Sequence, residues 1–258
     1  MALVNTTTSM LYNGIGDRLN GNSSTAVHFP MGQTTGKGGF CGWFRSTDTG
    51  GGGLICGLID TGTQHQAHIK LFTSGLQAVC KKGNGTVGTV FVAGTFNDDV
   101  WYNVIIIVDG ASFHFYIDGV FQGTGSCVGS NSSGTPVYAI GGTTINSLFS
   151  NSKITQVTSW HSHTAAHAVL ATDLYNGGFP VDPTTVPGIG TNTSWFEHPN
   201  VVPPLDTNDF AVDRLGIQLT LVATGILASD AVLDFPSAKR IIQPIIDPIV
   251  SRIAPFIF

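Results

Sequence analysis

Three closely spaced histidines, His161, His163 and His167, are the residues whose type and spacing most directly suggest chemistry in this chain. If their segment is helical, His163 and His167 share one face, and imidazoles four residues apart can hold a divalent metal. No cysteine lies beside them and the next acidic residue is Asp173, so the three are expected to be solvent-exposed polar residues, with no metal centre. Calcium is the one cofactor left open. Asp48, Asp60, Asp98 and Asp99 fall in or beside predicted loops and could offer it oxygen ligands, although Asp suits turns without any ion. Of the 16 acidic residues, 15 are Asp and Glu197 alone is Glu, so a mechanism that needs two glutamates is excluded in this chain. Ser, His and Asp are plentiful, but no G-x-S-x-G elbow is present to mark a nucleophile. No catalytic residue is expected.

The four cysteines, Cys41, Cys56, Cys80 and Cys127, lack the paired spacing of zinc or redox sites. They read as buried small apolar residues on strands, with one or two disulfides as the alternative. The first residues carry neither a basic region nor an apolar run, so no secretory signal is expected. The sequons at Asn5, Asn22, Asn84, Asn131 and Asn192 carry little weight without one.

Composition bounds the elements that could position such groups. In 258 residues only 10% are charged, against about 25% in ordinary soluble domains. Hydrophobic residues make up 42% and Gly supplies 33 positions, which favours a substantial core built from short strands and tight turns. The net charge is −5 and the Lys and Arg residues are scattered, so no nucleic-acid surface is visible. No window of about 20 apolar residues exists, so no transmembrane span is expected.

Along residues 26–158 the pattern is strand, turn, strand. Runs at 40–45, 54–60, 68–72 and 76–80 are rich in β-branched and aromatic residues and separated by turn formers. Residues 101–122 form a predicted meander, with Asp109-Gly110 and Asp118-Gly119 as the turns, because Gly tolerates the positive φ a tight hairpin needs. Strands are also predicted at 137–142, 153–160 and 193–196. Between them, residues 164–175 carry Ala, Val and Leu at helical spacing, begin with Thr164 as a cap and end at Asn176-Gly177-Gly178. The segment 216–228 alternates well enough for a strand or hairpin arm. Residues 235–258 combine Pro236, Pro244, Pro248 and Pro255 with many isoleucines, so they are apolar yet cannot form a continuous helix.

The order of these pieces resembles the laminin-G-like, concanavalin A-like jelly roll. The matching residues are Gly42-Trp43-Phe44, Asp99-Val100-Trp101 with Val104, Asp109-Gly110, and Tyr116-Ile117-Asp118-Gly119. Further on come Ile140-Gly141-Gly142, Lys153-Ile154 with Val157 and Trp160, and Leu174-Tyr175-Asn176-Gly177-Gly178. The resemblance covers about residues 10–178. It implies an all-β antiparallel sandwich with one short helix. Glucanases of this fold carry a Glu-x-Asp-x-(x)-Glu strand motif for their paired carboxylates, which this chain lacks. Laminin-G relatives often hold calcium at the rim, and lectins of the fold bind glycans. Leu174 to Asp182, followed by Ser194-Trp195-Phe196, is similar to a stretch found in structural proteins of bacteriophages.

The expectation is therefore a jelly roll over residues 1–200 and an irregular extension over 201–258. The extension would mediate assembly through Ile241, Ile242, Ile245, Ile246, Ile249, Ile253, Phe256 and Phe258, since a large exposed apolar surface marks an interface. The expected function is non-enzymatic: a structural protein of a virus particle, located in the virion, with other virion proteins and copies of itself as partners. The alternative is a lectin-like module for a host or cell-surface glycan. Trp43, Trp101 and Trp160 are expected in the core, leaving Trp195 and Tyr12 as freer aromatic candidates.

Overall fold

The computed structural model describes residues 9–11, 18–22, 36–47, 53–60, 66–83, 85–129, 136–143, 148–190, 193–196, 222–224 and 231–232. Within them two antiparallel sheets pack face to face. The first contains β1 (Ser9–Leu11), β3 (Lys37–Ser46), β8 (Trp101–Asp109), β9 (Ser112–Ile117), β10 (Val120–Ser126), β14 (Ser152–Trp160), β15 (Thr193–Phe196) and β17 (Ala231–Val232). Its order is β10-β9-β8-β3-β14-β1-β17, with β15 also on β14. The second contains β2 (Arg18–Asn22), β4 (Gly53–Asp60), β5 (Gln66–Phe72), β6 (Gly75–Lys81), β7 (Gly88–Ala93), β11 (Pro136–Ile140) and β16 (Val222–Thr224). Its order is β16-β2-β11-β4-β5-β6-β7. A small ribbon joins β12 (Gly142–Thr143) to β13 (Leu148–Phe149).

The space between the sheets is filled by alternate residues, as the two-residue period of a strand requires. Phe40 and Phe44 on β3, Val104, Ile106 and Val108 on β8, and Phe113 and Phe115 on β9 meet Leu58, Ile69, Leu76 and Ala78 from the second sheet. The first sheet is also covered on its outer face. There Cys41, Ile105, Ile107, Tyr116 and Trp160 pack under Leu170, Ala171 and Leu174 of the one α-helix described, α1 (His167–Tyr175), and under Val181 and Val186. This double burial explains why residues 104–108 read as an unbroken β-branched run rather than an alternating one.

Both Asp-Gly turns are present, in different forms. Asp118 and Gly119 are the two central residues of their hairpin, with φ of 50° and 74°, the signature of a type I′ turn. At the other end of β9 the central residues are Gly110 and Ala111, so Asp109 is the last residue of β8, paired with Ser112. That shift places the Asp109 carboxylate on the sheet rather than in the turn.

The helix starts later than the sequence predicts. Its first residue is His167, the cap position is Ala166 with no side-chain hydrogen bond, and the Thr164 N–H donates instead to the Gly188 carbonyl at 2.8 Å. The C-terminal end is as expected, with Asn176 left-handed and Gly177 following at φ 66°. The cysteines also need a correction: Cys80 and Cys127 form a disulfide, while Cys41 and Cys56 are buried free thiols. The carbon frame brings the Cys80 and Cys127 Cα atoms to 5.3 Å, within the span a disulfide bridges. Beyond residue 200 the chain contributes an edge strand to each sheet, β16 on β2 and β17 on β1. The eight proposed assembly residues from Ile241 to Phe258 lie outside the described residues.

Candidate functional site

Two side-chain groups stand out from the covalent and packing framework, one on the outer face of each sheet. On the first sheet, alternation puts Lys37, Asp109 and His114 on the same outer face as Ile105 and Ile107. Lys37 pairs across the strands with Asp109, and its Nζ donates to Asp109 Oδ2 at 3.2 Å. After β14 ends at Trp160, the chain forms a single β-bridge between His163 and Ile189, flanked by hydrogen bonds from Gly190 to Ser162 and from Thr164 to Gly188. This turns the imidazole of His163 back over the sheet. The helix then opens with His167, whose Nε2 lies 3.1 Å from the same Asp109 Oδ2.

The result is a compact group drawn from β8, β9, the β14–α1 connector and the helix start. Asp109, His163 and His167 each offer one ligand-capable atom, and these atoms lie within 4.8 Å of one another. The rings of His163 and His167 meet edge-on, with centroids 5.4 Å apart. His114 also packs against His167, with ring centroids 4.2 Å apart, and its Nδ1 shares a hydrogen bond with Thr124 at 3.1 Å. The expectation of three exposed histidines is thus overturned. His163 is only 4% exposed, His167 is half-buried, and the acidic partner is Asp109, 58 residues away in sequence from His167. His163 and His167 do not share a helix face, since only His167 belongs to the helix.

Electrostatics hold this group in a defined state. Burial pushes His163 down to about 4, helped by the neighbouring His167 and Lys37 and opposed by Asp109. Burial lowers His114 as well, with His167 acting in the same direction. Burial works against the charged form of Asp109, yet its hydrogen bonds and charge contacts with Lys37 and His167 outweigh this and keep the carboxyl below its usual range. At neutral pH the cluster therefore holds an anionic carboxylate beside neutral His114 and His163. Both ring nitrogens of His163 are buried without a hydrogen-bond partner, a costly arrangement for a polar group.

The second group lies on the outer face of the second sheet. Phe91 on β7, Gln77 on β6 and Lys70 on β5 are consecutive cross-strand partners. Phe91 is 48% exposed, and its ring meets Phe72 edge-on at 6.4 Å. Gln77, Lys70 and Phe72 are half-buried. An exposed aromatic face, an amide and an ammonium thus stand in line on rigid strands. Residues 88–93 were not among the predicted strands, although Thr89-Val90-Phe91-Val92 between Gly88 and Gly94 has the composition of one.

The other expected residues are accounted for in part. Trp43 and Trp160 are in the core, Trp43 stacking on Tyr175 at 5.9 Å, whereas Trp101 is partly exposed. Asp99 holds Arg45 through two contacts of 2.6 and 2.8 Å, and Asp98 accepts from the Tyr102 hydroxyl at 2.9 Å. Both Asp99 oxygens and one Asp98 oxygen are thus engaged by protein donors. Asp48, Tyr12 and the side chains of Asp60 and Trp195 lie outside the described residues.

Two antiparallel sheets packed face to face, with a short helix on one outer face, form a sandwich of the concanavalin A-like class of β proteins. The chain belongs to the laminin G type of the concanavalin A-like lectin/glucanases superfamily, which matches residues 20–169. No curated protein matches it significantly in sequence. Among solved structures, it is similar to a Bacteroides ovatus protein whose assignment as carbohydrate-binding is itself provisional. That likeness has 13% identity and a TM-score of 0.55, and covers 86% of this chain and 59% of the other. It is also similar to the heptameric SAP-like pentraxin of Limulus polyphemus, with 14% identity, a TM-score of 0.52, and coverage of 74% of this chain and 91% of that one. At such identities the likeness is one of fold.

Proposed function

We propose that the chain is a non-enzymatic carbohydrate-binding module, with the glycan lying on the outer face of the second sheet. The observation that carries this reading is the Phe91 ring, exposed on an edge strand and lined up with Gln77 and Lys70. A sugar presents an apolar C–H face and a rim of hydroxyls. The first suits the aromatic ring and the second suits an amide and an ammonium, the mixture of apolar floor and few placed polar groups that small ligands use. The Bacteroides protein's assignment supports the reading by analogy of fold. The single glutamate supports the absence of glycoside hydrolysis by paired glutamates.

A glycan array probed with the full chain tests this, followed by titration of the best hit into Phe91→Ala. Binding should weaken about ten-fold, or ~1.4 kcal/mol, with the melting temperature unchanged because the ring is half in solvent. An empty array, or undiminished binding by the variant, would sink the proposal.

A structural role in a virus particle is the second reading, with the virion as location and with other virion proteins or further copies of the chain as partners. It is supported by the apolar, proline-interrupted segment 235–258, including Ile241, Ile242, Ile245, Ile246, Ile249, Ile253, Phe256 and Phe258. Light scattering on the full chain and on a chain stopped after residue 234 separates the readings. A defined oligomer that becomes a folded monomer favours assembly, and two equal monomers remove it.

A further inference from the structure

We propose that Asp109, His163 and His167 form a binding site for a divalent transition-metal ion, zinc by preference, independent of any glycan site. Three observations converge. The ligand-capable atoms of the three residues already lie within 4.8 Å of one another. His163 is 4% exposed with neither ring nitrogen hydrogen-bonded, so a buried donor set points into the cluster with nothing to satisfy it. The donors come from three separate pieces of chain, the end of β8, the β14–α1 connector and the start of the helix, all anchored by backbone pairing.

The donor chemistry selects the ion. Two imidazoles and one carboxylate suit zinc and its neighbours, whereas calcium and magnesium take all-oxygen sets. About a tetrahedral ion with bonds of ~2.0–2.1 Å, ligand atoms sit roughly 3.3 Å apart. The separations are at most 4.8 Å, and closing the remainder is within the reach of side-chain rotation. Three protein ligands leave one position for water or an exogenous donor, and the partly exposed Asp109 and His167 leave a route to it. His114, packed at a tilt against His167 and tied to Thr124, limits rotation of the His167 ring and acts as a positioning residue. Lys37 is the resident competitor, since its ammonium occupies Asp109 Oδ2. An ion bound at Oδ2 must displace it, and removing it should tighten binding.

The test is titration of Zn2+ into the metal-stripped full chain, read by calorimetry and by the melting temperature, with Co2+ absorption as a report of coordination number. Wild type should bind one equivalent with a rise in melting temperature. His163→Gln, His167→Ala and Asp109→Asn should each weaken binding at least ten-fold, and Lys37→Met should strengthen it. His163→Gln keeps a buried polar side chain of similar length, and the near-ultraviolet dichroism of each variant checks that it has folded. His163→Ala serves as a second probe of the same position should the glutamine variant not fold. No stoichiometric binding by wild type, or undiminished binding in any folded variant of the three ligands, overturns the proposal.

Discussion

His68 and His163 sit inside the folded chain and are pushed down to about 3 and about 4, in each case mainly by burial, with Lys70 adding to the shift at His68. On unfolding each returns to an ordinary value near 6.5. The unfolded chain therefore binds more protons between those values, and stability must fall as pH drops below about 6.5. Above that pH the contribution is fully present. For His68 the slope approaches ~1.4 kcal/mol per pH unit. Urea unfolding of wild type and His68→Asn at pH 7, 5.5 and 4.5 should show a flatter dependence in the variant, and parallel curves would refute the assignment. The thiols behave in the opposite sense. Burial pushes Cys41 up to about 12 and raises Cys56 strongly, so both are protonated and unreactive in the native state. Alkylation should label no thiol in the native protein and two in denaturant without reductant, whereas four labelled sites would mean that Cys80 and Cys127 are not joined.

At the scale of elements, the Cys80–Cys127 bond ties β6 to the segment that follows β10, closing the side of the sandwich where β7 and β10 lie at the edges of their sheets. The bond closes a loop with a sequence separation of 47, for which chain entropy gives roughly 4 kcal/mol in the simplest account. Reduction should lower the unfolding midpoint without abolishing the fold, since Cys80 and Cys127 are two of many buried residues in the inter-sheet core. On the other sheet, Trp160 lies directly over Gly39. A Cβ added at Gly39 would fall on the Ile106 carbonyl and on the Trp160 ring. Gly39→Ala should therefore cost about 2–3 kcal/mol through overpacking, measurable by denaturant unfolding. A change under about 0.5 kcal/mol would mean that the helix and Trp160 shift freely away from the sheet.

For the whole molecule, the two short strands after residue 200 matter more than their lengths suggest. Each covers one edge of a sheet, β16 on β2 and β17 beyond β1, and an uncovered edge exposes unpaired backbone groups. A chain stopped after Leu205 should thus melt lower and aggregate more than one stopped after residue 234, which keeps both strands. Equal melting and solubility would show that these pairings carry no stability. The comparison also keeps loss of fold distinct from loss of assembly when the C-terminal segment is removed.

Much of this fold is a local property of the chain. The β3, β4, β5, β6, β8, β9, β11 and β14 runs, the Asp118-Gly119 turn and the left-handed helix end at Asn176 follow from residue type and period, because backbone sterics and side-chain branching act between near neighbours. The very short strands β1, β12, β13 and β17 have too few residues for a period to register, and they exist because a partner strand is in place. The disulfide was one of two open readings of the cysteines, decided only when register brought Cys80 and Cys127 together. The same holds for the histidines. Sequence spacing placed His163 and His167 on one exposed helix face without an acid, while the sheet supplies Asp109 from 54 and 58 residues away and buries His163 against it. The chain by itself determined a two-sheet sandwich poor in charge and in glutamate. The tertiary structure decided which carboxylate and which imidazoles share a site, because strand pairing and helix packing set distances that sequence separation does not encode.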